Sequence, residues 1–503
     1  MNNAQNHEAT FTDELYEWME RAPWVALSLT MHGLILLILA LIPWHLFSNA
    51  EAPIFEARID QIELVEYAEP LLPEPLETEP PLDEATEPTL IESVTSESPV
   101  MDELSEFPDE GDPDFISQAP FEATSTNKLL GVGPGGGGKY GLRFKGTPGG
   151  GGGKGTRGPL DSGVRWLVDH QDLDGKWDAD GFSKHDPAND RCEGPGDGEH
   201  DVGVTGLALL ALLGDGNTTR DGPYSENVSR GLQWLRTQQD PDSGLFGERL
   251  GHSYMYGHAI ATLTVCEAYY FSKNPILKST AQRAVNFISR ARNPYGVWRY
   301  SSHPDGDQDT SVTGWMVLAL RSASDAGLRV DSAAFNDALA WLDEVTDRST
   351  GRVGYDSPGS VSSRVRGVND HFPTDKTECM TAVGLLSRFF LGQDPIEDPV
   401  LMRHADLLQD ALPVWDPDGL SNDLYYWYYG SYAMYQIGGQ HWQRWNRAMK
   451  KAVVDSQRSD SSARGSWDPI GPWGHAGGRV YSTALGVLCL EVYFRYARVL
   501  GGR

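Results

Sequence analysis

Basic residues and cysteines are what this chain has least of. Its 503 residues carry 41 Lys and Arg against 71 Asp and Glu, a formal charge of −30. A surface so acidic excludes nucleic-acid binding, which needs cations to neutralise phosphates. The four cysteines, Cys192, Cys266, Cys379 and Cys489, stand far apart. Without a CxxC pair they make neither a disulfide scaffold nor a zinc ribbon, so disulfides are not needed for folding; no metal and no cofactor is expected. Apolar runs are also scarce, and a mean hydropathy of −0.41 excludes a multi-span membrane protein. The exception runs from Trp24 to Phe47 without an Asp, Glu, Lys or Arg. At about 1.5 Å per residue it can cross a ~30 Å hydrocarbon core, and it reads as one transmembrane helix. A cleaved signal peptide ending at Ser48-Asn49-Ala50 is the alternative, although its leader should be basic. Here Glu8, Asp13, Glu14, Glu17 and Glu20 stand against Arg21. Arg21 beside the span favours a cytoplasmic segment 1–23, placing the rest outside the cytoplasm. The expected location is a bacterial-type inner membrane with a periplasmic C-terminal domain.

Within the span, Arg21-Ala22-Pro23-Trp24 leads into Ser28-Leu29-Thr30-Met31-His32-Gly33, and Leu39 follows. This resembles the membrane anchor of TonB-type energy transducers. The resemblance implies that Ser28, His32 and Leu39 form a face that engages a proton-driven motor of the ExbB and ExbD kind. Pro43 stands where that pattern has a further serine, and the receptor-binding domain of that family is not recognisable. An ionisable histidine inside a membrane is costly and ordinarily faces a partner or a proton path. The plainer reading has Ser28 and His32 bonded to each other or to backbone carbonyls.

Residues 48–130 are acidic and proline-rich, as in Glu74-Pro75-Leu76-Glu77-Thr78-Glu79-Pro80-Pro81. They cannot bury a core and read as an extended, disordered spacer. Residues 131–159 form a glycine-rich linker; its Gly-Lys pairs lack the strand and helix that a phosphate loop requires.

From 160 to 503 the chain is globular and repeats itself. The first unit reads Trp166-Leu167, Gln171, Gly175, Trp177, then Asp201 and Thr205-Gly206 at the start of an apolar helix. The others carry Trp234-Leu235, Gln239, Gly244, Phe246 and His258; Arg292, Gly296, Trp298 and Thr313; Trp341-Leu342, Gly351 and Thr381; Leu407-Leu408 and Ser431; and Gln457, Gly465, Trp467 and Thr483. Each unit is a helix, a glycine turn, an aromatic that packs back, and a second, more apolar helix. Such pairs bury a continuous core only when stacked. The W-L-x3-Q-x3-G-x-W spacing resembles the repeat of the squalene cyclase and protein prenyltransferase superfamily. The resemblance implies an all-α fold of six helix pairs closed into an α/α toroid.

Aligning the inner helices on their first polar residue gives Thr205, His258, Thr313, Thr381, Ser431 and Thr483. One turn earlier stand Asp201, Tyr254, Asp309, Thr377, Trp427 and Arg479. These, with Trp315 and the tyrosines Tyr256, Tyr428, Tyr429, Tyr432 and Tyr481, are expected to line a cavity at one mouth, where aromatic faces suit isoprenoids, sugars or peptides alike.

Cyclases of this superfamily protonate an alkene with a DxDD motif. Asp305-Gly306-Asp307-Gln308-Asp309-Thr310 approaches it, making Asp307 and Asp309 the catalytic candidates, but Gln308 breaks the cluster in either register. Asp309 equally suits a helix cap. The prenyltransferase zinc pattern is incomplete as well, with Thr377 for its aspartate, Cys379 in place and Tyr481 near its histidine position. The alternating aspartates from Asp305 to Asp309 mimic a calcium loop, yet Thr310 replaces its glycine and Met316 its glutamate. The sequence therefore favours a binding or scaffolding module for an unknown ligand. An isoprenoid enzyme is the alternative, and a carbohydrate-active barrel using Asp201 and Asp309 is the second.

Overall fold

The computed structural model describes residues 31–34 and 155–495, apart from residue 396. It divides into two units, Met1–Met101 and Asp102–Arg503. In the first, residues 31–34 are helical and exposed, His32 among them. The remainder of the expected span, with Ser28 and Leu39, and both linkers up to residue 154 lie outside the described residues. Among the described residues no helix is long and apolar enough to cross a membrane.

The second unit is all-helical among the described residues, with isolated bridges at Gln239 and Phe246 and at Thr346 and Val353. Amphipathic helices α1 (Arg157–Asp169), α3 (Ser225–Thr237), α5 (Pro275–Ala291), α7 (Ala333–Glu344), α9 (Val400–Asp410) and α11 (Gly439–Val454) alternate with apolar helices. These are α2 (Asp201–Gly214), α4 (Tyr254–Ser272), α6 (Thr310–Asp325), α8 (Cys379–Phe390), α10 (Leu424–Ile437) and α12 (Gly474–Leu490), followed by the short α13 (Val492–Arg495). The apolar helices pack in chain order, α2 on α4, α4 on α6 and onward, and α12 returns to α2. They form the wall of a ring, which is why they are buried all round. The amphipathic helices cover it outside; α1 packs on α12 and α2, joining the two ends of the repeat.

Helix α1 begins at Arg157, inside the segment assigned to the glycine linker. The Arg157–Asp161 pair (2.8 Å) and the buried Leu160 account for the earlier start.

The repeat spacing has a mechanical explanation in the turns. Trp177, Trp298 and Trp467 are fully buried, and their indole N–H groups donate to the carbonyls of Leu167, Ile288 and Val453 on the preceding outer helix (2.7, 2.8 and 2.7 Å). Gln171 donates to the Gly175 carbonyl and to Asn227 on the next outer helix. Gln239 does the same with Gly244 and Thr280, and Gln457 with Gly465 and Pro159. In the fourth turn His404, from the following helix, supplies the bond to Gly351. Gly175 has φ +105°, and a Cβ there would meet the Arg230 carbonyl oxygen at 2.3 Å. Conformation and the neighbouring backbone both exclude a side chain.

At the end of the ring opposite these turns, Arg495 is fully buried. It donates to the Leu210 carbonyl of α2, to Glu491 after α12, and to both carboxylate oxygens of Glu267 on α4.

Candidate functional site

The starts of the apolar helices share one end of the ring with the turns, and most of the aligned polar residues fasten those turns instead of facing a cavity. Thr205 and Thr483 accept the backbone N–H groups of Trp177 and Trp467 (2.9 and 3.3 Å). Thr381 accepts from Val353 and donates to Glu378. His258 Nδ1 accepts from Phe246, its Nε2–H points to the Ala284 carbonyl, and burial lowers its pKa to about 3. Ser431 accepts from the Trp445 indole. Thr313 is buried with no bond to its hydroxyl among the described residues. Arg479 ties the ends of the repeat together through the Glu193 carbonyl, Ser466 and Asp468. Tyr254 is half-buried against the core, and Trp427 is buried beside Trp415. The physical reason is local. A hydroxyl one turn into an inner helix lies within reach of the N–H of the aromatic that packs back from the turn.

Part of the aromatic wall packs on itself, while Tyr256 and Tyr481 stay half-buried. Trp315 on α6 stacks on Tyr428 of α10 (5.6 Å, 12°) and meets Tyr429 edge-on, while Ser311 and Tyr425 hydroxyls bond at 3.0 Å. In the ring α8 stands between α6 and α10, so these contacts span the interior. Tyr432 completes the stack against Tyr428 and donates to the Leu488 carbonyl.

Above this stack, carboxylates sit beside cations at the helix starts. Asp201 accepts from the Ala179 N–H and from Lys176, which also pairs with Asp178. Burial alone would lower the Lys176 pKa; the bonds to Asp201 and Asp178 outweigh it and raise it. Asp309 caps α6 through the Val312 N–H (2.7 Å), as expected for a cap, and its other oxygen accepts from the Tyr355 hydroxyl and lies 3.7 Å from Arg299. Arg299 lies over the rings of Tyr300 and Tyr355, whose hydroxyls bond each other. Asp423 caps α10 through the Tyr426 N–H, accepts from Thr377 and faces Arg364 at 3.8 Å. Burial raises its pKa against the pull of Arg364.

Asp307 does not join this group. It is exposed, its carbonyl is held by Asn293, and its N–H bonds back to Asp305. Gln308 accepts from the Val297 N–H, so it completes the turn. The aspartates from 305 to 309 thus diverge, two outward and one inward, and form no calcium loop. Thr377 and Glu378 are committed to Asp423 and to Arg352, and burial raises the Cys379 thiol well above its ordinary value. Cys379 joins no three-ligand group among the described residues. A cavity of about 140 Å³ lies at the start of α8, lined by polar groups such as Arg352, Ser360 and Glu378 and by Val353, Cys379 and Met380, with Val361 at its rim.

Sequence reading missed Arg299, Tyr300, Tyr355, Arg364 and Asp423. Only Asp423 had a local signal, an acid directly before an aromatic helix.

Burial outweighs Arg299 and the bonds from Val312 and Tyr355, and pushes the Asp309 pKa up to about 7. Between pH 4 and 7 the folded chain therefore holds a proton that the unfolded chain has lost, so this group's contribution to stability falls as pH rises through that window. Asp309→Asn keeps the cap without the charge. The difference in unfolding free energy between wild type and variant should drift with pH from 4 to 7 and level off above. A difference that does not change with pH would show that Asp309 titrates normally.

Residues 204–355 match the family model of the squalene-hopene cyclase C-terminal domain. Over that stretch the chain is similar to this family, and the paired helices of the repeat domain form an α/α toroid. No curated protein matches the chain. Among solved structures, an inactive variant of a Salegentibacter α-1,6-mannanase bound to mannotriose is similar at 10% identity, with 67% of this chain and 98% of that one covered and a TM-score of 0.47. Cellobiose 2-epimerase from Bacillus thermoamylovorans gives 10%, 67%, 97% and 0.47. A Scytonema type II terpene cyclase with geranylgeranyl dihydroxybenzoate gives 13%, 67%, 97% and 0.41. Likenesses this distant carry no argument about chemistry.

Proposed function

We propose that this chain is a membrane-tethered, six-repeat toroid that binds a ligand or partner segment at its mouth and does not catalyse cyclisation. The observation that carries the reading is the Trp315–Tyr428 stack between α6 and α10, which buries aromatic faces a polyprenyl chain would need, together with a cavity of only about 140 Å³ at the start of α8. Pockets for drug-sized ligands run to roughly 300–1,000 Å³, and a polyprenyl chain needs no less. The carbohydrate reading calls for two free carboxylates facing one substrate. Asp201 and Asp309 lie on helices separated by α4, and each has its own cation.

The apolar run from Trp24 to Phe47 supports a single span at an inner membrane, with the toroid on the periplasmic side of an acidic tether. The Ser28, His32 and Leu39 face supports an ExbB and ExbD-type membrane partner. A photo-crosslinker at Val361, on the rim, should form an adduct in native membranes, whereas one at Lys273, exposed at the other end of the ring, should not. His32→Ala should remove association with the motor partner and leave membrane insertion unchanged. Equal labelling from Val361 and Lys273 would remove the mouth from consideration.

A further inference from the structure

A second constellation lies away from the mouth, in the long excursion between α1 and α2. His170 caps the C-terminus of α1, Asp186 ends the 3-10 turn Phe182–His185, and Cys192 follows on the same loop. All are buried, at 4%, 9% and 9% exposure. One imidazole nitrogen, one carboxylate oxygen and the sulfur lie within 4.8 Å of one another.

The His170 ring is fixed before any ligand is considered. It stacks on Trp166 with centroids 3.9 Å apart, and its Nδ1 is 2.7 Å from the Trp166 carbonyl oxygen. A carbonyl only accepts, so Nδ1 carries the hydrogen and Nε2 of the neutral ring presents a lone pair. That lone pair faces Asp186 Oδ1 at 2.9 Å. Two electron-rich atoms this close in a buried site need a positive partner between them, a proton or a metal ion. The other Asp186 oxygen accepts the Cys192 N–H (2.8 Å), a bond that curls the loop back and brings the sulfur to the same point. An imidazole oriented by a backbone carbonyl, with a carboxylate and a cysteine thiol beside it that a bound cation would deprotonate, is the donor set of zinc. The neighbouring group of Asp178, Asp180 and Asp201 differs, because the ammonium groups of Lys176 and Lys184 already supply its positive charge.

We propose that His170, Asp186 and Cys192 bind a divalent zinc-like cation, leaving one coordination position for water. The site would be structural. Its loop makes the seam between the first and last repeats, where Asp190 accepts from Ser462, Gly194 from the Arg479 N–H, and Asp197 donates its N–H to Ala476. A cation there would lock the closure of the ring.

The test uses the full chain in detergent, stripped with a chelator and titrated in separate samples with Zn²⁺ and with Co²⁺. One equivalent of metal per chain should survive dialysis, and Co²⁺ should give a near-ultraviolet thiolate-to-metal charge-transfer band. The band should vanish in Cys192→Ser and persist in Cys266→Ser. A triple variant replacing Cys266, Cys379 and Cys489 leaves Cys192 as the only thiol and decides the assignment even if Cys192→Ser does not fold. Absence of the band in wild type, or its survival in Cys192→Ser, would overturn the proposal in favour of a proton shared by His170 and Asp186.

Discussion

Arg495→Leu should lower the unfolding free energy by about 3–5 kcal/mol, the usual consequence of removing one partner of a buried ionic cluster. The guanidinium is fully buried and holds α2, α4 and the end of α12 through Leu210, Glu267 and Glu491. Leucine approximates its stem but removes the cation bonded to both carboxylates, and the loss of an ionic partner in a buried site costs more than a lost apolar contact. Replacing Glu267 and Glu491 by Gln in the same chain should recover part of the loss, because the buried negative charge is then reduced. Denaturation of the full chain by urea, followed by tryptophan fluorescence, reads the difference. A change below about 1 kcal/mol would mean that the ring does not close through this cluster.

Trp177→Ala should cost a similar amount, about 3–5 kcal/mol, by the combined loss of buried area and creation of a cavity. Trp177 has no exposed surface, donates to Leu167 on the outer helix, and has its own N–H fixed by Thr205 on the inner one. One side chain therefore joins both helices of its repeat. Thr205→Val removes the oxygen while keeping the volume, and should cost about 1–2 kcal/mol. If Trp177→Ala were as mild as Thr205→Val, the turn would not be the unit that holds each repeat together.

These turns are the part of the molecule most legible in the sequence. Glutamine, glycine and tryptophan recur at fixed spacing because each has a fixed geometric task, and the same bonds reappear in the first and last units. The site was less legible. Helical spacing places Thr205, Thr381 and Thr483 at the starts of inner helices, but it does not distinguish a hydroxyl under a turn from one facing the interior. The same limitation made the tyrosines of α10 look like a lining, when Tyr428 and Tyr429 are buried against Trp315. Asp423 escaped the alignment because the fifth unit lacks the glycine and tryptophan turn that fixes the register elsewhere, and Trp427 took its place. Arg299, Tyr300 and Tyr355 lie after the turn aromatics, in loops with no period to betray them. Asp309, a catalytic candidate that equally suited a cap, does cap α6, yet its burial and its tyrosine and arginine neighbours became visible only in three dimensions.

Proton-initiated cyclisation needs a carboxylic acid held unusually acidic inside a deep hydrophobic cavity. Here the nearest acid, Asp309, is held less acidic than usual, and the aromatic groups pack on one another. Incubating the purified full chain with squalene and shorter polyprenyl substrates tests this account most directly. It predicts no cyclic product from wild type at any pH between 5 and 8; cyclic products that disappear in Asp309→Asn would contradict it.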